Sequence, residues 1–431
     1  MANKNLGNAK TAKNDEFYTQ LADINKEMLA YLDYNPDVFR DKTILMPCDD
    51  PEWSNFTRYF ALNFQLFGIK KLISTSYAPD AKAAKYGVQP PLFPEDEQDP
   101  KFDRDKWQTH GRIFVLDRDI NGDNRIDIDD LRWEYLDGDG DFRSREITQL
   151  RNEADFIITN PPFSLFREFL KWIIDGGKQF SVIGNMNAIT YKEVFPLLMN
   201  NKAWLGATGN GCDMVFGVPE GATVAEKDRQ KAERLGYKGN YTRLGNSCWF
   251  TSIEHGKRHQ PLPLMTMADN IKFSRHKDIR GLEYQHYDNY DAIEVPHTDA
   301  IPSDYDGVMG VPISFLDKYC PEQFKIVNAN DYRKSKKVRL KPHGLIKDKE
   351  ATITTPGDQN AERERERERE STNNLCKNLH QANYWLQEVM DGTSMESAST
   401  PESLSASYYD MVARPVIDSN KIYRRIFIIR K

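Results

Sequence analysis

The chain has 431 residues, 39% of them hydrophobic and 11% aromatic, and carries a formal net charge of −6. That length holds a catalytic core plus a further domain or large insertions, and the composition is globular rather than disordered. The charge argues against a protein that coats nucleic acid unspecifically, while leaving room for a locally basic cleft.

No apolar run approaches membrane-spanning length, and the polar start from Met1 to Asp15 has no apolar signal core, so a cytoplasmic protein is expected. Lys4, Lys10 and Lys13 form a basic arm there. An amphipathic helix is expected over Phe17 to Leu32, then a strand over Lys42 to Met46 that opens onto the polar loop Pro47 to Phe56. A helix over Thr57 to Phe67, stopped by Gly68, and a strand over Lys70 to Ser76 complete a βαβ unit, hence a right-handed crossover and a parallel sheet. The loop after the first strand is where such folds bind nucleotide-like ligands, although its usual glycines are absent. Another strand, Arg112 to Leu116, precedes an acid-rich stretch through Asp141. The apolar run Asp155 to Thr159, a helix over Leu165 to Ile174, the Gly176-Gly177 stop, a strand over Phe180 to Ile183 and a helix over Ala188 to Met199 follow. Strands alternating with helices predict an α/β fold, doubly wound.

From about Trp204 to Pro312 the pattern is shorter and loop-rich, with Trp249, Phe250 and Ile253 in one expected strand. A basic cluster runs from Arg333 to Lys349, with Lys334, Lys336, Lys337, Arg339 and Lys341. Glu362 to Glu370 alternates Glu and Arg and offers no apolar face, which reads as a charged linker or solvated helix. The chain ends in Lys421 to Arg430, a strand expected to return to the sheet. The five cysteines (Cys48, Cys212, Cys248, Cys320, Cys376) are odd in number and far apart, which fits reduced thiols rather than a zinc site.

The sharpest signal is Asn160-Pro161-Pro162-Phe163 at the end of the apolar run. Two prolines cannot donate to a ladder and fix φ, so the backbone leaves the sheet in one direction. The Asn160 side-chain oxygen and the carbonyls of Asn160 and Pro161 can then converge as acceptors, with the Phe163 ring close by to stack on a base. Two acceptors gripping both hydrogens of an exocyclic amino group would stabilise the charge that grows on its nitrogen during methylation.

Together with Asp15 to Gln20, Cys48 to Pro51, Ser54 to Phe56, Gly138 to Ser144, Thr159 to Glu168, Ile189 to Glu193, Asp288 to Ile293 and Gly307 to Pro312, these residues make the chain resemble the EcoRI-type adenine-specific DNA methyltransferases, collinearly over about residues 14–328 and again at the last strand. The resemblance implies a Rossmann-like methyltransferase sheet with loop-rich DNA-recognition insertions, and S-adenosyl-L-methionine as methyl donor. It implies transfer to N6 of an adenine flipped out of double-stranded DNA, by a monomer that needs neither a restriction subunit nor magnesium. By the same likeness, Asn160, Pro161, Pro162 and Phe163 form the catalytic pocket. Tyr18, Thr19, Cys48, Asp49, Asp50 and Pro51 line the cofactor pocket near its amino-acid end, while Asp141 and Phe142 hold the adenine end through an acceptor and a stacking ring. An acid that would grip the ribose is missing from Leu72 to Tyr77.

The expected organisation is a cofactor-binding catalytic core over residues 1–205, a sheet extension and target-recognition region over 206–328, a charged insertion over 329–410 and a returning strand over 411–431. Asp119, Asn121, Asp123 and Asp130, with Asn124 where a glycine is usual, also match the spacing of a calcium loop, against which stands an ordinary solvated acidic loop. Asn-Pro-Pro-aromatic serves planar amides as well, so an RNA or protein-glutamine methyltransferase, or a catalytically silent DNA-binding relative, stay open at this point.

Overall fold

The computed structural model describes residues 17–51, 54–78, 99–208, 214–218, 224–334, 412–417 and 420–431. The basic arm, most of the basic cluster and the Glu-Arg repeat lie outside the described residues. In chain order the strands are β1 (Tyr18–Thr19), β2 (Thr43–Met46), β3 (Lys71–Ser76), β4 (Arg112–Leu116), β5 (Arg132–Tyr135), β6 (Phe156–Thr159), β7 (Gln179–Asn185), β8 (Trp204–Leu205) and β9 (Met214–Gly217). They continue with β10 (Tyr241–Leu244), β11 (Ser247–Thr251), β12 (Ile293–Glu294), β13 (Met309–Pro312), β14 (Phe324–Val327), β15 (Val416–Ile417), β16 (Asn420–Lys421) and β17 (Arg425–Arg430).

An eight-stranded sheet runs in the order β5-β4-β3-β2-β6-β7-β11-β8. Its centre, β3-β2-β6-β7, is parallel. β2 and β6 are buried at every residue, which is why they read as unbroken apolar runs. Successive residues feed two cores. Leu45 and Ile157 face one with the helix Phe166–Asp175 (Phe166, Phe169, Leu170, Ile173). Ile44, Met46, Phe156 and Ile158 face the other with the helices Leu21–Tyr34 and Asn55–Leu62 (Ile24, Met28, Tyr31, Phe56, Phe60). The sheet is thus covered on both sides.

Three expectations are corrected. The sheet is mixed, because β4, β5 and β11 run antiparallel to their neighbours. The connection 117–131 carries only the 3₁₀ turn Ile128–Asp130 and no crossover helix, and β5 turns back beside β4 as its antiparallel partner. The helix expected from Phe17 begins at Leu21, and Tyr18–Thr19 is extended and pairs with β9. β11, from the region expected to extend the sheet, sits between β7 and β8. The terminal strand β17 joins a separate sheet, β12-β13-β17-β14, where Met309 faces Ile428 and Ile326 faces the same residue from the other side. Glu294 on β12 fastens it through Arg425 at 2.6 Å. That second sheet shares a core with the first, because Met309, Val311, Ile426 and Ile428 pack in one cluster with Leu45, Phe169 and Val182. No described helix is long and apolar enough to cross a membrane.

Candidate active site

From β2 the chain steps outward to β3, and from β6 it steps the opposite way to β7, so β2 and β6 are neighbours whose outgoing loops diverge. Such a switch point leaves a crevice beyond the carboxyl ends of the strands. The loops that border it are Pro47 to Pro51 and Asn160 to Phe163, tied together where the Thr159 hydroxyl donates to the Pro47 carbonyl at 3.0 Å. The crevice is a cleft, partly open to solvent, walled by Phe17, Tyr18, Thr19, Cys48, Asp49, Asp50, Ser54, Phe56, Tyr77, Asn160 and Pro162.

The glycine-poor loop works because Cys48 takes φ +63°, the left-handed conformation a glycine usually supplies there. Its thiol donates to the Tyr77 hydroxyl at 3.7 Å. Asp49 lies beneath the loop, 2% exposed. It accepts from the Ser54 hydroxyl on one oxygen, and from the Thr57 hydroxyl (2.6 Å) and amide (3.2 Å) on the other. Desolvation pushes its carboxyl up to about 6, against these donors. Asp49 therefore braces the start of the Asn55–Leu62 helix, whose N-cap is Ser54. Asp50 is the carboxylate beside it, with Arg112 Nη2 3.6 Å away. Pro51 is buried behind the loop and its carbonyl accepts from Arg58 Nε at 3.2 Å.

Asn160 has a divided role. Its Nδ2 donates to the Phe17 carbonyl at 2.6 Å, while its Oδ1 is buried without a partner. A buried acceptor left unsatisfied is costly, and a donor group entering the cleft would satisfy it. Thr19 Oγ1, in the same cleft, is orphaned likewise. β1 is held in place by Asn55 Nδ2, which donates to the Thr19 carbonyl at 2.8 Å. Phe163 stacks on Phe17 at 5.4 Å and meets Phe216 edge-on at 6.3 Å, so one of its faces is already covered.

The structure thus brings Tyr18, Thr19, Cys48, Asp49, Asp50, Asn160 and Pro162 into one cleft, with Pro51, Pro161 and Phe163 adjoining it. It does not bring in Asp141 and Phe142. Phe142 is fully buried edge-on between Phe169 (5.0 Å) and Trp172 (5.6 Å), so its ring is core and cannot stack on a ligand. The Asp141 carboxylate holds Arg143 through both oxygens, at 2.9 and 2.7 Å. Their turn still packs on the end of β3, where the Ala78 amide donates to the Asp139 carbonyl at 2.9 Å.

The calcium spacing is not realised as a donor set. Asp119 accepts from the amides of Gly122 (2.6 Å) and Asn124 (2.8 Å), and Asp130 from those of Ile120, Asn121 and Asp127. Asn124 does take φ +64°. Backbone amides, Ile120 foremost, hold the Asp130 carboxyl below its usual range. Asn121 and Asp123 accept from the amides two residues on. These groups face their own backbone and do not converge. Sequence reasoning missed Phe17, Ser54, Phe56, Tyr77 and Phe216. Tyr77 follows directly on the second strand of a parallel pair, a position that faces the crevice, and that placement is the signal that marks it.

The chain matches the family model described as "Adenine-specific methyltransferase EcoRI" over residues 5–382. It is 40% identical over 327 residues to the type II methyltransferase M.EcoRI of Escherichia coli, covering 75% of this chain and 89% of that protein. It is 31% identical over 334 residues to the type II methyltransferase M.MpnI of Mycoplasma pneumoniae and 32% identical over 328 residues to M.MgeORF184P of Mycoplasma genitalium, each covering 75% of this chain and 86% of the relative. No solved structure matches the chain.

Proposed function

Because the chain belongs to the EcoRI family of adenine-specific methyltransferases, we propose that the cleft at the β2–β6 switch point is where it joins methyl donor to target base. The protein is an S-adenosylmethionine-dependent DNA adenine methyltransferase. The observation that carries the site assignment is Asn160: one end of its amide is fastened to Phe17 and the other is an empty buried acceptor.

The cleft residues fit the donor. The orphaned Thr19 hydroxyl and the Asp50 carboxylate suit a zwitterionic amino-acid end, and the Tyr77 hydroxyl stands where a ribose acid is lacking. Asp49 supports the loop instead of touching the ligand. The turn at Asp141 and Phe142 contributes backbone beside the cleft, with the Phe142 ring withdrawn into the core. When bound, S-adenosylmethionine supplies an electrophilic methyl group on sulfonium sulfur.

Asn160 Oδ1 and the Pro161 carbonyl then accept the two N–H hydrogens of the adenine N6 amino group, turning its lone pair away from ring conjugation. Those two acceptors would stabilise the positive charge that methylation places on N6, whose surplus proton would leave to solvent. No enzyme nucleophile is used. Since N6 is paired inside a duplex, the adenine is flipped out to reach Asn160, and Phe163 stacks on it with the face that Phe17 leaves free.

The strand order around the switch point supports a Rossmann-like methyltransferase core. Residues 206–328 serve target recognition and also complete the sheet through β11. The protein acts as a cytoplasmic monomer within, or derived from, a type II restriction-modification system. Sequencing of modified bases in DNA from a host expressing the chain tests this: methylated adenines at one short recurrent site are expected. Adenine methylation that persists in an Asn160→Ala host would refute the site assignment.

A further inference from the structure

Behind the cleft, and outside its lining, a carboxylate lies wholly inside the molecule. Glu27, on the helix Leu21–Tyr34, is 0% exposed. Its Oε1 accepts from the Tyr31 hydroxyl (2.7 Å) and the Ala207 amide (2.8 Å), and its Oε2 from the Thr208 amide (2.7 Å) and hydroxyl (2.6 Å). The Tyr31 hydroxyl also lies 2.9 Å from Ser181 Oγ on β7, so the cluster reaches the large sheet. Burial pushes the Glu27 carboxyl up, and the four donors oppose that shift. Gly206 lacks a side chain where one could not fit, because a Cβ there would run into the carboxylate and into Trp249.

A buried carboxylate is a costly way to fill a core. What this one adds is direction. Two consecutive backbone amides are bound to the two oxygens of one planar group, which sets the path of the chain as it leaves β8. That path leads to β9, the strand behind the catalytic loop. Phe216 on β9 meets Phe17 edge-on at 6.0 Å and Phe163 at 6.3 Å. β9 meets β1 only through the pairs Tyr18 with Gly217 and Thr19 with Phe216, too few to hold their register unaided. The helix that carries Glu27 starts just after β1. The carboxylate therefore ties the chain that follows β1 to the chain that precedes β9, and closes a bracket around their short pairing.

We propose that Glu27 is a positioning residue for methyl transfer: by clasping the amides of Ala207 and Thr208 it holds β9 so that Phe216 keeps Phe17 and Phe163 set for the target base. The inference rests on the assignment of Asn160 and Phe163 to the catalytic pocket.

Glu27→Gln keeps the size of the side chain and one acceptor oxygen, but its amide nitrogen must face one of the two backbone amides, which opens half of the clasp. Single-turnover transfer to duplex DNA should fall at least about tenfold in the folded variant. β1 keeps its own tie to Asn55, so the dissociation constant of S-adenosylmethionine, measured by equilibrium fluorescence, should stay near the parent's. Thr208→Val removes only the hydroxyl donor and should show a smaller fall of the same kind; it decides the matter should Glu27→Gln fail to fold. A merely structural role would lower the melting temperature and leave the rate per folded molecule unchanged, which overturns the proposal. So does a fall in rate matched by an equal loss of donor affinity, the mark of a cleft loosened as a whole, or a Thr208→Val variant with the parent's rate when Glu27→Gln does not fold. Asn160→Ala is measured alongside. Transfer that persists there overturns the site assignment and this inference with it, whereas parent-like transfer by Glu27→Gln beside an inactive Asn160→Ala overturns this inference alone.

Discussion

Replacing Asn160 by Asp separates the two ends of its amide. The acceptor end survives, since a carboxylate accepts at least as well as a carboxamide. The donor end does not: an oxygen replaces the nitrogen 2.6 Å from the Phe17 carbonyl, and two acceptors then face each other in a buried place. An unsatisfied buried group of this kind costs about 1–3 kcal/mol, or roughly a tenfold to hundredfold fall in kcat if it is relieved by the amide plane turning away. Asn160→Ala, which loses the acceptor as well, should fall by about 10²–10³ in kcat. The two variants also differ in pH dependence. Burial and the opposing carbonyl disfavour the charged form, so the introduced carboxyl titrates above the usual range. Its protonated form can donate to Phe17 and still offer a carbonyl oxygen to the base. Activity of Asn160→Asp should therefore be greatest at acid pH and decline as pH rises through that raised value, relative to the parent profile. The assay is single-turnover transfer from labelled donor to duplex DNA between pH 5.5 and 8.5. An Asp variant with the parent's rate and the parent's pH profile would refute the view that the Phe17 carbonyl orients Asn160.

Asp49, raised to about 6 in the folded protein, binds protons there that the unfolded chain, titrating near 3.8, does not. Its stability contribution is therefore fullest below that lower value and is lost as pH rises through about 6. That slope should vanish from melting temperatures measured between pH 4 and 6.5 in Asp49→Asn, and an unaltered slope would contradict the assignment. Gly140→Ala places a Cβ into the Ser76 carbonyl at φ +84°, 3.1 Å from the Ser76 carbonyl carbon. It should lower stability by at least about 2 kcal/mol in denaturant titration; a neutral result would mean that the turn does not hold this backbone. Cys48→Gly should keep transfer activity, as no thiol chemistry is involved and φ +63° suits glycine. Cys48→Val, branched at the same angle, should destabilise and weaken donor binding measured by fluorescence; the reverse order would show that the thiol itself matters.

What was legible followed from local rules. β2 and β6 announced themselves as short runs of wholly buried residues, and Asn160-Pro161-Pro162 can only leave a strand. What was illegible depended on partners distant in the chain. Phe142 after Asp141 is the same letter whether it stacks on a ligand or fills the core between Phe169 and Trp172. The carboxylates of Asp119 and Asp130 have the spacing of a cation loop, and only coordinates show them turned toward their own amides. β17 reads as a strand, but its choice of β13 and β14 over the large sheet is a matter of register and packing. Cys48 went unnoticed as a stand-in for glycine because cysteine rarely enters that conformation.

The placement of β11 has a bearing on how the chain comes to be folded at all. β8 reaches the large sheet only through β11, and β11 is also the strand that covers β7. Until residue 251 is available, β7 is an open edge with an apolar face, and β8 has nothing to join. The closing contacts bridge more than 60 residues of intervening chain, from Ser181 to Thr251, so they form late and slowly. A growing or truncated chain that stops short of Ser247 carries the whole Asn160 motif on an unfinished sheet. Such a species should be captured by chaperones or aggregate rather than methylate.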